Sequence, residues 1–146
     1  MIKNKSKGFT IIELLVVIAI IAVLAAIVLV NVTSYINKGK DAAVQGNLAS
    51  VLTNEAVYYD GAGAGSYVGG CASAAVAAAL AAADRAYDGN STPNEVTDCN
   101  EAAGAFAACG QLKVTDSYFC VDSTGTKKVI ATRATCVTAF AATVCP

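Results

Sequence analysis

Six cysteines are the residues of this sequence with the clearest chemistry, and all of them lie after residue 70. They are Cys71, Cys99, Cys109, Cys120, Cys136 and Cys145. The chain has no Cys-x-x-Cys pair and no histidine, which argues against a zinc site and against a thioredoxin-type redox motif. Disulfides are the favoured interpretation, with free buried thiols as the alternative, and the pairing stays open. Disulfides would place the part of the chain from Cys71 onward in an oxidising compartment.

The carboxylate of Glu13 is the second notable group, because it lies within an apolar stretch. Leu14–Val30 is a run of 17 apolar residues, and Phe9–Ile12 continues it on the other side of Glu13. A carboxylate in a membrane-spanning helix costs up to about 3 kcal/mol, whereas the helix dipole returns only about 0.3 to 1 kcal/mol in the first turn. This cost predicts a specific role for Glu13, and a carboxylate that is merely tolerated is the alternative.

Few other residues could support chemistry. Four acidic side chains could hold calcium, although carboxylates in turn-rich surface segments are the commoner explanation: Asp84, Asp88, Asp98 and Glu101. The chain lacks histidine, a Gly-x-Ser-x-Gly motif and a phosphate-binding glycine loop, so we expect no enzymatic activity, metal, cofactor or small-molecule substrate. Its 10 basic residues form no stripe interleaved with aromatic residues, so we expect no general nucleic-acid binding.

The apolar stretch is itself the element that must position Glu13. As a helix, Phe9–Val30 would span roughly 33 Å, enough to cross a bilayer core of about 30 Å. Lys3, Lys5 and Lys7 precede it, and the positive-inside rule therefore predicts a cytoplasmic N-terminus and an exported remainder. The stretch is longer than the apolar core of a cleaved secretory signal, which has about 7 to 15 residues.

The segment Gly8-Phe9-Thr10-Ile11-Ile12-Glu13-Leu14-Leu15, which follows a short lysine-rich leader, resembles the class III signal of type IV prepilins and type II secretion pseudopilins. The resemblance implies that a membrane-embedded prepilin peptidase cuts after Gly8 and methylates the new N-terminus at Phe9. It also implies that Glu13 is the assembly glutamate of a subunit that packs with identical subunits in a helical filament. The pilus assembly machinery of the inner membrane would then be a further partner.

The physical chemistry of these positions fits the resemblance. Gly8 has no side chain, which suits a peptide bond that must enter a peptidase cleft in an extended form. Cleavage would create an ammonium group at Phe9. Among packed helices, this ammonium and a carboxylate are each costly alone and attractive together, so Glu13 of one subunit is expected to pair with Phe9 of another.

We divide the chain into four parts. Residues 1–8 are the expected leader, 9–30 the transmembrane and assembly helix, 31–60 its amphipathic extension, and 61–146 a small exported globular domain. One continuous helix is predicted from about Phe9 to Tyr59. Its outer half places Val44, Leu48, Val51, Leu52, Ala56 and Val57 on an apolar side. The polar side is predicted to carry Lys40, Asp41, Gln45, Asn47 and Glu55.

The globular part is predicted to have an α+β fold. Ser73 should cap an alanine-rich helix that ends near Tyr87 and buries Val76 and Leu80. A loop is expected over 88–98 and another short helix over Val96–Cys109. Short β-strands are predicted over Gln111–Thr115, Tyr118–Asp122 and Lys127–Thr132, with a turn over Asp122–Gly125. The fold class is therefore a long N-terminal helix, membrane-spanning and then amphipathic, packed on a small antiparallel sheet in a disulfide-stapled, pilin-like domain.

The resemblance implies a structural protein that polymerises through its N-terminal helix into a type IV pilus-like surface filament. It would first be a single-pass precursor in the inner (cytoplasmic) membrane, and then part of the extracellular filament. A pseudopilin of a type II secretion system, or an uncleaved single-pass anchor that carries an exported domain, are the alternatives. Many pilins have a helix-breaking residue in the membrane helix and a single cysteine pair, and this sequence differs in both respects.

Overall fold

The computed structural model describes residues 8–89, 97–131 and 143–146. The described elements, in chain order, are α1 (Ile11–Asp60), α2 (Ala74–Asp88), β1 (Thr97–Ala102), β2 (Ala105–Gln111), β3 (Tyr118–Asp122) and β4 (Lys127–Ile130). The chain divides into two compact units, Met1–Ile36 and Asn37–Pro146, and α1 contributes residues to both. A long N-terminal helix and a small antiparallel sheet confirm the predicted α+β fold.

The first unit contains the apolar half of α1. No glycine or proline interrupts the sequence from Phe9 to Lys38, so nothing in it breaks the helix. Among the described residues, α1 is the one helix long and apolar enough to cross a membrane, with a mean hydropathy of 3.3 in its most apolar window. Its large apolar side chains from Leu14 to Leu29 are exposed in the single chain.

The sheet of the second unit has the order β1-β2-β3-β4, and every neighbouring pair is antiparallel. Each strand therefore pairs with the strand that follows it in the sequence. The register places Cys99 opposite Ala108, and Cys109 opposite Cys120.

Both helices of the second unit bury apolar side chains against one face of this sheet. The cluster comprises Val44, Leu48 and Val51 of α1, Val76, Leu80 and Ala83 of α2, and Phe106, Ala108, Leu112 and Val121 from β2, β3 and the loop between them. The approach of α1 is close at Gly110, where a Cβ atom would lie 3.0 Å from Leu48 Cδ1 and 3.3 Å from Val44 Cγ1. Glycine at this position therefore lets the helix pack directly on the strand.

A second cluster covers the opposite face of the sheet. It consists of Cys109, Tyr118, Cys120, Ile130 and Cys145. Because successive residues of a strand point to opposite faces, β2 and β3 contribute alternate side chains to the two clusters. The central strands are therefore buried on both sides.

The helix predicted over Val96–Cys109 is wrong, because β1 and β2 form a β-hairpin there. The five alanines in this segment favour a helix by intrinsic propensity. Burial of β2 between the two apolar clusters overrides that preference, since small alanine side chains let helices approach the sheet.

The predicted division of α1 into apolar and polar sides needs two corrections. Asp41 and Glu55, placed on the polar side, are buried, whereas Ala56 and Val57 of the apolar side are exposed, Val57 by 69%. Asp41 is buried because its carboxylate accepts hydrogen bonds from the amides of Lys113, at 2.5 Å, and Val114, at 3.1 Å. It thereby satisfies two backbone donors of the β2–β3 loop.

The remaining predictions for the globular part have mixed outcomes. Helix α2 is confirmed, with Val76 and Leu80 buried, and β3 and β4 are confirmed as strands. Ser73 is the N-cap residue of α2, but its buried hydroxyl makes no hydrogen bond with the described residues.

Boundaries account for the other differences. The predicted strand over Gln111–Thr115 is wrong, because β2 ends at Gln111 and the Leu112 amide donates to the Ser117 carbonyl at 2.8 Å, which closes a turn. The loop predicted over 88–98 is shorter, because Asp88 is the last residue of α2, and Thr97 and Asp98 belong to β1. Residues 90–96 of that predicted loop, and Thr132 of the last predicted strand, lie outside the described residues.

Candidate processing and assembly site

The residues predicted for processing lie directly before α1. Gly8, Phe9 and Thr10 have no regular secondary structure, and α1 begins at Ile11. The Phe9 side chain is 80% exposed, and a Cβ atom on Gly8 would meet nothing within 4 Å. The peptide bond after Gly8 is therefore open to another molecule.

Thr10 and Glu13 cap the N-terminus of α1 reciprocally. The Thr10 amide donates to Glu13 Oε2 at 2.8 Å, and the Glu13 amide donates to Thr10 Oγ1 at 3.2 Å. The Thr10 hydroxyl also donates to Glu13 Oε2, at 2.7 Å. This arrangement is a capping box, in which a threonine and a glutamate three residues later satisfy backbone donors of the first turn.

The capping box adds a local role for Glu13 that our sequence analysis missed. The Thr-x-x-Glu spacing before an apolar run could have indicated it. In the single chain, one carboxylate oxygen of Glu13 is satisfied by Thr10, while Oε1 makes no hydrogen bond with the described residues. The assembly role of Glu13 stays a prediction.

The acidic residues considered for calcium have separate environments. Glu101 accepts hydrogen bonds from the amides of Gly69, at 2.6 Å, and Cys71, at 2.5 Å. Asp84 is buried, and burial raises the pKa of its carboxyl group. Thr97 lies beside it and opposes this pKa shift, although neither carboxylate oxygen of Asp84 makes a well-formed hydrogen bond with the described residues.

Within the described part of the chain, the potential metal ligands that lie close together are not the four acidic residues considered for calcium. An oxygen of Glu55 and the sulfur atoms of Cys71 and Cys99 all lie within 4.8 Å of one another. The two sulfur atoms are bonded to each other in a disulfide, so they are not free to act as thiolate ligands.

Two disulfides join distant parts of the second unit. Cys71–Cys99 links the segment before α2 to β1, and Cys120–Cys145 links β3 to the C-terminal segment. Both pairs have Cα atoms 5.9 Å apart, with sequence separations of 28 and 25 residues. A disulfide that closes a loop of this size stabilises the fold by about 3.5 kcal/mol through the unfolded state. Cys109 is also disulfide-bonded, and Cys136 lies outside the described residues.

The first residues of the chain match a known family. The family model described as the prokaryotic N-terminal methylation motif matches residues 3–29. A type IV major alpha-pilin and a fimbrial protein Q, both from Moraxella bovis, are each 52% identical to this chain over 50 residues. These alignments cover 34% of this chain and 31% and 32% of the two pilins, about a third of their length. No solved structure matches the chain. The methylation motif, which includes Gly8, Phe9 and Glu13, and the identity to two pilins show that part of this chain is similar to type IV pilins.

Proposed function

We propose that this chain is a structural subunit that polymerises through its N-terminal hydrophobic helix into a type IV pilus-like surface filament. The observation that carries the proposal is the apolar surface of α1. It begins directly after the methylation motif residue Glu13 and stays exposed from Leu14 to Leu29 in the single chain. Such a surface needs a membrane before assembly and neighbouring helices after it.

Processing is the first step of the proposal. The peptidase is proposed to cut after Gly8 and to methylate Phe9, so residues 1–8 are the leader. The start of α1 at Ile11 supports this step, because the bond to be cut lies outside the helix. A peptide bond already held in a helical hydrogen-bond ladder would first have to unwind.

Assembly is the second step, and the capping box suggests how Glu13 performs it. Oε2 stays with the amide and hydroxyl of Thr10, while Oε1 has no partner among the described residues. Oε1 is therefore available to the ammonium group of Phe9 from a neighbouring subunit. In a low-dielectric bundle this pair specifies how far one helix is shifted along the next.

The proposed function also implies an orientation of the chain in the membrane. The lysines before Gly8 hold the N-terminus in the cytoplasm, α1 anchors the precursor in the inner membrane, and the disulfide-bonded unit is exported. Pilins form a structural family, so we assign no catalytic role to the chain. Its proposed partners are identical subunits, the prepilin peptidase and the pilus assembly machinery.

Intact-mass analysis of sheared surface filaments tests processing and assembly together. The expected result is filaments that consist chiefly of this chain, with each subunit starting at Phe9 and carrying one extra methyl group. A processed chain that stays in the membrane fraction would favour the pseudopilin alternative. A chain that retains residues 1–8 would contradict the proposal and favour the uncleaved anchor.

Substitution of Glu13 tests the assembly step. Glu13→Gln keeps the shape of the side chain but removes its charge, and we expect normal export and cleavage with few or no filaments. Asp60→Asn is the matched control, because it removes an exposed carboxylate from the last residue of the same helix. Normal filament yields from Glu13→Gln cells would refute the ion-pair mechanism. Normal yields from Glu13→Leu cells as well would show that the carboxylate has no role in assembly.

A further inference from the structure

The carboxyl group of Glu55 is the most unusual buried group of the second unit. Its side chain is 0% exposed, and neither of its oxygens has a hydrogen-bond partner among the described residues. An ionised carboxylate without partners is costly in such a place. The pilin assignment gives this group no role.

The local backbone makes room for this carboxyl group. It lies against Gly70, where a Cβ atom would come within 2.0 Å of Glu55 Oε2. One of its oxygens lies within 4.8 Å of the sulfur atoms of both Cys71 and Cys99. These two cysteines are only partly buried, so part of each residue contacts solvent.

The charges around Glu55 favour its protonated form. Burial and the nearby charge of Glu101 raise the pKa of Glu55 to about 7. Glu101 is fixed in place by the amides of Gly69 and Cys71. Tyr67 is a further titratable neighbour, and burial is the main reason that its own pKa is raised. Glu55 therefore holds a proton that it can exchange near neutral pH.

We propose that Glu55 is the proton donor and acceptor for thiol exchange at the Cys71–Cys99 disulfide, which makes this disulfide a redox modification site for a thiol of the glutathione class. In the opening direction, an external thiolate attacks one sulfur, forms a mixed disulfide and expels the other cysteine as a thiolate. That thiolate forms beside the negative charge of Glu101 and takes the proton of Glu55. A second external thiol then attacks the external sulfur of the mixed disulfide, forms an external disulfide and releases the second cysteine, which takes the proton of the attacking thiol. The two external thiols thus supply the two electrons that reduce the protein disulfide.

The closing direction uses the same groups in reverse. The Glu55 carboxylate accepts the proton of one cysteine thiol, and the resulting thiolate attacks the mixed disulfide at the other cysteine. The external group leaves as a thiolate and takes the proton that Glu55 accepted, and the Cys71–Cys99 bond forms. A proton acceptor next to the two sulfur atoms thus accelerates closure of the disulfide after export.

The Cys120–Cys145 disulfide provides an internal control. Both of its cysteines are buried. The nearby Asp122 carboxylate accepts hydrogen bonds from Thr124, Thr126 and Cys145, so it has no proton to give. Burial alone would raise the pKa of Asp122, but these hydrogen bonds outweigh it and lower the pKa.

Reduction of the full chain in detergent micelles by glutathione tests the proposal. Samples are quenched by alkylation at successive times, and peptide mapping then gives a separate rate for each disulfide. Each rate is divided by the concentration of glutathione thiolate. At pH 6.5, we expect the Cys71–Cys99 rate of the wild type to exceed that of Glu55→Gln by at least about tenfold, while the Cys120–Cys145 rates agree.

The pH profile separates proton transfer from a change in structure. The corrected Cys71–Cys99 rate of the wild type should fall as pH rises through about 7, because Glu55 loses its proton there, while the Glu55→Gln rate stays flat. Loosening of the fold would have the opposite effect, since ionisation of Glu55 would expose the disulfide and raise the rate. A wild-type rate that is flat or rises with pH, or a Glu55→Gln rate equal to or above that of the wild type, overturns the proposal.

Discussion

Replacing Glu55 with glutamine is expected to stabilise the second unit at neutral and alkaline pH and to leave its stability nearly unchanged at pH 4.5. In the folded chain, burial and the charge of Glu101 raise the pKa of Glu55 from 4.5 to about 7. The folded state therefore binds more protons than the unfolded state between these two values. The protonated carboxyl group of Glu55 thus contributes to the free energy of unfolding. This contribution is fully present below pH 4.5 and is lost as pH rises through about 7.

The magnitude follows from the size of the pKa shift. One pKa unit corresponds to about 1.4 kcal/mol, so a shift from 4.5 to about 7 corresponds to about 3 kcal/mol. Water that reaches the ionised side chain would reduce this value, and we therefore expect about 2 to 3 kcal/mol between pH 4.5 and pH 8. The free energy of unfolding of Glu55→Gln, relative to that of the wild type, should therefore rise by that amount from pH 4.5 to pH 8.

Urea unfolding of the full chain in detergent micelles, followed by the near-ultraviolet circular dichroism of tyrosine, measures this effect at a series of pH values. Glu55→Leu provides a second variant of similar volume that also cannot ionise. If both variants keep the pH dependence of the wild type, the carboxyl group is not the source of that dependence. A wild type that gains stability relative to Glu55→Gln as pH rises would refute the reasoning outright.

Two further substitutions test buried carboxyl groups of opposite behaviour. Burial raises the pKa of Asp84, so Asp84→Asn should raise the melting temperature at pH 7 but not at pH 3.5; equal changes at both values would contradict this. For Asp122, burial alone would raise the pKa, but four hydrogen bonds lower it. Asp122→Ala should therefore cost about 3 kcal/mol at pH 7, and the loss should shrink as pH falls below about 3.8 in urea unfolding. A loss that is independent of pH would show that packing, and not charge, explains the effect.

The helices could be predicted from the sequence because their patterns are local. Val44, Leu48 and Val51 repeat at helical spacing, and Val76 and Leu80 do the same in α2. The capping box at Thr10 and Glu13 is equally local, because its Thr-x-x-Glu spacing is visible in the sequence.

The hairpin and the buried carboxyl groups could not be predicted in the same way. The strand assignment of Phe106–Cys109 depends on two apolar layers that meet only in the folded chain. Glu55 has the polarity of a surface residue, and its burial results from Gly70 and the Cys71–Cys99 disulfide. The disulfide pairing likewise depends on the sheet register, which no cysteine spacing contains.

Because the strands pair in sequential order, the sheet needs only short connections between neighbouring strands. The connections between strands contain 2, 6 and 4 residues, from Ala102 to Ala105, Gln111 to Tyr118 and Asp122 to Lys127. Loops this short close at little entropic cost, and the sheet has a low contact order. The docking of α1 on Gly110 is the long-range step. Strand order thus depends on short connections within residues 97–130, whereas the burial that favours strands in this segment also requires Val44, Leu48 and Val51 of α1.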